Sequence, residues 1–243
     1  NYGTKTYAVN FANTASLVTT NTALGNLGAS ADFTIEAWIN PTAVNSSADC
    51  IISNTAAYDT DYANRWQLVL NSSYGSSSPL VSWQTSAGGG WPNGTKAVIP
   101  INVWTHVAVV RYNSVITMYI NGKAVGTTQT TNMAYTSTGA IRLGKFTDRS
   151  AFTGAMSNVR VVTGTAVYTA NFTPPTSDLT AISGTQFLLN GSTITDKSTN
   201  AYALTNTNVT INDNNYPFVT PPAYSYYFGG STSVSAAANA AWA

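Results

Sequence analysis

Short runs of Val, Ile, Thr, Tyr and Trp, cut at close intervals by Gly, Asn, Ser and Pro, dominate the chain. No segment sustains the 3.6-residue apolar period of a long helix. Such runs favour the pleated backbone, where alternate side chains point to opposite faces. In Asp32–Ile39 this sets Phe33, Ile35, Ala37 and Ile39 on one face and Thr34, Glu36 and Trp38 on the other. Further strands are expected at Arg65–Leu70, Leu80–Thr85, Trp104–Tyr112, Ile116–Ile120, Lys123–Thr127, Ile141–Gly144, Met156–Val162, Phe187–Leu189 and Val209–Ile211. Asn121–Gly122 is the strongest hairpin signal, because both central positions of a type I′ turn need φ > 0. Many short strands between turns indicate an all-β sandwich or barrel.

Composition narrows the function classes. Charged residues are only 8% of the chain and the net charge is +1, against about one quarter charged in an ordinary domain. Little charge and many apolar residues argue against disorder. The lack of a basic excess argues against nucleic acid. No apolar run approaches the roughly 18 residues of a spanning helix, so no membrane insertion is expected. No signal-type segment stands at Asn1, and the missing initiator Met points to a chain that starts inside a longer polypeptide or after processing.

An internal echo sets the expected domain layout. Tyr7, Phe11 and Ser16 recur at the same spacing as Tyr224, Phe228 and Ser233. Between the two lies a Pro-rich stretch, 216–223, that reads as an extended connector. The expectation is one sandwich over 1–215, the connector, and the start of a second, truncated copy over 224–243. The strand at Tyr224–Phe228 would pair within that second copy or add to another subunit's sheet.

Three stretches go beyond general pattern: DFTIEAWI from Asp32, WTHVAVVRYNSVITMYINGKAV from Trp104, and GAMSNVRVVTGTAVYTANFTPP from Gly154. Across about residues 6–219 the chain resembles the laminin-G-like jelly rolls of the concanavalin A-like lectin/glucanase superfamily. Ser157, Asn158, Arg160, Val161, Gly164–Ala166, Tyr168, Thr169, Asn171–Pro175, Leu179, Thr180 and Ser183–Thr185 resemble a branch common in tailed-bacteriophage virion proteins. The resemblance implies a two-sheet antiparallel jelly-roll sandwich. It implies a non-enzymatic structural or decorating module on the virion surface, in a capsid-surface, fibre or tail-appendage protein. The implied partners are other virion proteins and further copies of the chain. A lectin-like adhesin that binds host-surface glycans is the competing reading, and a glycoside hydrolase a distant third.

The chemistry-bearing residues are few. Glu36 is the sole glutamate, and glycosidases ordinarily need a pair of carboxylates; a structural, hydrogen-bonded carboxylate is expected. Cys50 and His106 are each alone in the sequence, so no intrachain disulfide can form. Both fall in expected strands, as a buried thiol and a core histidine rather than a nucleophile–base pair. No catalytic residue, metal site or cofactor is assigned. Asp59 and Asp61 have the spacing that could begin a calcium site, but a solvated turn is the expectation. For carbohydrate or partner contact the candidates are Trp91, set among glycines in the 85–96 loop, with Tyr58 and Tyr62, and Tyr74 on a further loop.

Overall fold

A computed structural model describes residues 7–12, 14–45, 48–57, 65–72, 79–86, 95–130, 134–190, 193–213 and 215–218. The strands are β1 Ala8–Phe11, β2 Ser16–Thr19, β3 Phe33–Ala43, β4 Asp49–Ser53, β5 Arg65–Ser72, β6 Pro79–Ser86, β7 Lys96–Val98 and β8 Thr105–Tyr112. They continue as β9 Val115–Ile120, β10 Lys123–Thr130, β11 Arg142–Leu143, β12 Thr153–Thr163, β13 Thr185–Leu189, β14 Leu204–Thr207 and β15 Thr210–Asn212. The helical content among the described residues is one 3₁₀ turn at Ala23–Gly25.

The strands form two sheets, and every pairing among the described residues is antiparallel. The larger runs β10-β9-β8-β3-β12-β1-β15, with β13 also on β12; the smaller runs β14-β2-β11-β4-β5-β6-β7. This is the antiparallel sandwich of the strand pattern, in the two-sheet jelly-roll form that the resemblance implies. Strands β1 and β15 are neighbours, with Ala8 opposite Asn212, so the two ends of the sandwich lie side by side. The Asn121–Gly122 hairpin is present, with Ile120 opposite Lys123 and φ of 47° and 73°. Strands β1 and β2 lie in the stretch that the sequence marked only as an internal echo, and β7 and β14 escape the pattern as short strands at sheet edges, where little needs to be buried.

The core fills the space between the sheets. Phe33, Ile35, Ala37 and Ile39 of β3 face it, as the alternation predicts, with Val107, Val109, Met156, Val159 and Val161 from the neighbouring strands. The smaller sheet answers with Trp66, Leu68, Leu70, Val81 and Trp83. Trp66 stacks on Trp83 at 5.7 Å, and Phe33 meets Tyr135 edge-on at 5.5 Å. Pro41 is tolerated in β3 because β8 pairs only as far as Ile39, so no N–H is needed there.

Strand β12 changes register between Ser157 and Arg160. The extra residue is a bulge. It keeps both Met156 and Val159 in the core while Arg160 goes to the outer face. Asn158 takes φ 53° there, a left-handed conformation that Asn tolerates better than most residues.

Candidate functional site

The larger sheet buries its inner face against the core. Its outer face carries a second set of residues, polar and apolar: Thr34, Glu36 and Trp38 from β3, His106, Ala108, Val110 and Tyr112 from β8, Val115, Thr117 and Tyr119 from β9, and Arg160 from β12. The segment 164–182, which follows β12, runs across part of this face as a strap.

Glu36 is the centre of the covered part and is fully buried. Its Oε1 accepts from Arg160 Nε at 2.8 Å and Nη2 at 2.5 Å. Its Oε2 accepts from the Tyr168 hydroxyl at 2.7 Å and from His106 Nε2 at 3.2 Å. Because the ionised carboxylate can only accept, His106 Nε2 is the donor in this contact. Burial pushes the Glu36 carboxyl up; the His106 hydrogen bond, the Arg160 charge, the His106 charge and the Tyr168 hydroxyl outweigh it, and the net shift is downward. Tyr168 is driven upward by burial and by the Glu36 charge beside it. The only glutamate is therefore held ionised, with both oxygens engaged. A general acid needs a carboxyl that is protonated at working pH and reaches substrate, and Glu36 offers neither.

The same network ties down the strap. Arg160 Nη1 donates to Thr180 O at 3.0 Å. Asn158 Oδ1 accepts from Leu179 N at 2.6 Å, and its Nδ2 donates to Asp178 at 3.1 Å. Thr34 Oγ1 donates to Thr165 O and accepts from Val167 N. Phe172 N donates to Gly122 O at 2.9 Å, and Asn171 Oδ1 accepts from Ala124 N. A Cβ on Gly122 would sit 1.9 Å from Phe172 O, so the strap's approach to the hairpin requires glycine. Tyr168 and Phe172 stack at 3.6 Å and 4° and pack with Ala166 on Ala108, Val110 and Tyr119. Trp38 closes the far side, edge-on to His106 at 5.2 Å and to Phe218 at 5.9 Å.

Beside the strap, at Tyr168 and Thr169, the face opens. A groove of about 270 Å³ is lined by Val110, Tyr112, Asn113, Val115, Thr117, Tyr119, Tyr168 and Thr169. Tyr119 is nearly buried and Tyr112 is 46% exposed.

The smaller sheet has a different buried carboxylate. Asp49 of β4 accepts from Asn45 N at 3.2 Å and from Asn45 Nδ2 at 3.0 and 3.1 Å. Burial dominates and pushes its carboxyl up to about 6. Beside it, burial pushes the Cys50 thiol up to about 12. Cys50 Sγ lies 3.6 Å from Ser53 Oγ and from Arg142 O, in the sheet opposite His106, so the two do not form a nucleophile–base pair.

Trp91, Tyr58, Tyr62 and Tyr74 lie outside the described residues, as do Asp59, Asp61 and the 224–243 segment. Among the described residues, no group of three or more His, Cys, Asp or Glu side chains could hold a metal ion. No described helix is long and apolar enough to cross a membrane. Sequence reasoning passed over Arg160, Tyr168 and the groove residues as individual players. The signal for Arg160 was legible: a lone cation in the apolar run of β12 and a lone carboxylate in that of β3 are each costly to bury unless paired.

An antiparallel two-sheet sandwich with a lectin-like layout is thus the class of protein. The chain matches the concanavalin A-like lectin/glucanases superfamily over residues 11–167, more than half its length, and belongs to it. No curated protein matches. Among solved structures it is similar to a candidate carbohydrate-binding protein from Bacteroides ovatus ATCC 8483, with TM-score 0.62, 18% identity and 89% of this chain covered. The chain spans 62% of that protein's length. It is also similar to the heptameric SAP-like pentraxin of Limulus polyphemus, with TM-score 0.55, 14% identity and coverage of 85% of this chain and 94% of the pentraxin. At these identities the likeness establishes the fold.

Proposed function

We propose that the chain is a non-catalytic, lectin-like recognition module of a bacteriophage surface or appendage protein. It is displayed outside the particle, docks to other virion proteins and to copies of itself, and contacts host-surface glycans. The observation that carries the non-catalytic part is the fixed state of Glu36, whose two oxygens are both occupied by Arg160, His106 and Tyr168. The glycan part is supported by the sandwich itself and by its likeness to the Bacteroides ovatus protein. The virion part is supported by the run from Ser157 to Thr185 that resembles phage proteins. Trp91, Tyr58 and Tyr62 are the loop residues proposed for contact.

A glycan array probed with the whole chain, paired with an assay for newly released reducing ends, tests the reading. The expected outcome is binding to some glycans, weakened by Trp91→Ala, with no release of reducing ends. Release of reducing ends abolished by Glu36→Gln would overturn the non-catalytic assignment. No binding to any glycan would overturn the recognition role and favour a purely structural module.

A further inference from the structure

We propose that the groove on the outer face of the larger sheet is a binding subsite for a neutral saccharide that does not use Trp91, Tyr58 or Tyr62. The inference rests on the glycan-recognition reading and gives it a place. Its floor is the β8–β9 pair, where Val110 faces Thr117 and Tyr112 faces Val115 across the hairpin. One wall is the strap at Tyr168 and Thr169.

Three observations specify the ligand. First, none of the lining residues is charged; the groove offers tyrosine rings, Thr117 and Thr169 hydroxyls and the Asn113 amide among the Val110 and Val115 methyl groups. That mixture suits a sugar ring, which presents an apolar C–H face and a rim of hydroxyls, and gives no charged partner to a carboxylate or phosphate. Second, the volume of about 270 Å³ falls just below the roughly 300–1,000 Å³ of sites for drug-sized ligands, which is space for one or two rings. Third, the walls are fixed in advance. Tyr168 is clamped by its stack on Phe172 and its hydroxyl on Glu36. The two-residue turn at Asn113 and Ser114, with φ of 48° and 66°, is held by Asp32 Oδ1 accepting from Asn113 N. Walls ordered before binding reduce the entropy lost on association. The buried Glu36–Arg160 pair therefore contributes to the groove at a distance, by holding the Tyr168 wall.

The test is titration calorimetry of the whole chain with lactose, maltose and cellobiose, and with 3′-sialyllactose as the anionic control. Tyr112→Ala removes the exposed ring, and Thr117→Arg fills the groove with a charged side chain. Both positions lie on the outer face, and thermal melts verify that the variants fold. Binding of a neutral disaccharide that each variant weakens about tenfold or more, while Trp91→Ala leaves it within twofold, supports the proposal. A neutral disaccharide bound equally by wild type and both variants would sink the groove while leaving the glycan reading intact. Tighter binding of 3′-sialyllactose that Tyr112→Ala abolishes would overturn the neutral specification. Absence of binding here and on the array defeats both readings together.

Discussion

Glu36 and Asp49 are both buried carboxylates, one on each sheet, and the protein treats them in opposite ways. Glu36 meets an arginine, a histidine and a tyrosine, and its carboxyl is lowered. Asp49 meets chiefly the amide groups of Asn45, and its carboxyl rises to about 6. Burial acts upward on both; at Glu36 the His106 hydrogen bond, the Arg160 and His106 charges and the Tyr168 hydroxyl together reverse it, and at Asp49 the Asn45 amides do not. The difference follows what each carboxylate holds. Glu36 anchors a long strap across an open sheet face, and Asp49 orders a short stretch of chain beside its own strand.

Breaking the Glu36 side is expected to have the largest effect. Arg160→Met leaves the carboxylate buried without the two hydrogen bonds to its Oε1 and frees Thr180 O, at a cost of about 3–5 kcal/mol. Urea denaturation measures it. Adding Glu36→Leu to Arg160→Met should recover much of that loss, since an apolar pair of similar volume often matches a buried ion pair. A cost under about 1 kcal/mol for Arg160→Met would mean that the network does not hold the strap.

Asn158→Ala comes next. It removes the acceptor for Leu179 N and the donor to Asp178, and it places alanine at φ 53°. A loss of about 2 kcal/mol is expected. Amide exchange should show it concentrated in residues 164–182, with the β5–β6 pair still protected; uniform loss of protection would argue against a strap that opens locally.

The two carboxylates also predict opposite pH limbs. Asp49 has a folded pKa above its usual 3.8, so its unfavourable contribution grows as pH rises from about 4 to about 6 and stays constant above. Glu36 has a folded pKa below its usual 4.5, so its contribution is present above that value and is lost as pH falls below it. Asp49→Asn should flatten the first limb and Glu36→Gln the second, as read from urea midpoints between pH 3 and 7. A Glu36→Gln profile with an unchanged acid limb would separate the charge from the stability of the strap.

The smallest effect sharpens the Asp49 side. With its thiol fully buried and raised to about 12, Cys50 should react with an aromatic disulfide reagent only when the protein opens. Labelling without denaturant at the rate of a free thiol would show that the back of the smaller sheet is less closed than its packing on Val69 and Phe146 implies.

The two sheets were legible because alternation in strands such as β3 and β8 reports directly on a half-buried surface. The hairpin at Asn121–Gly122 was legible because its φ values restrict the residues that fit. The outer-face network was not, since only the sheet order β8-β3-β12 makes Glu36, His106 and Arg160 neighbours, and Tyr168 joins them from the strap. The isolated charges in apolar strands announced that pairing was needed without saying with what. The groove was still less visible. It exists because the strap stops short of the β8–β9 turn, and nothing in the run from Gly164 to Leu179 states where a segment without regular structure will lie. The stretch 85–96 drew notice for a tryptophan set among glycines, a local signal; Tyr112 and Tyr119 read as ordinary strand residues.

The pairing of β1 with β15 has a mechanical consequence. Ala8 and Asn212 face each other, so the chain enters and leaves the sandwich at neighbouring positions. Tension between Tyr7 and Asp213 would open this pair from its end, one ladder bond after another, instead of shearing all of them at once. A body attached in this way hangs from a polypeptide as a side pendant and adds little to its reach.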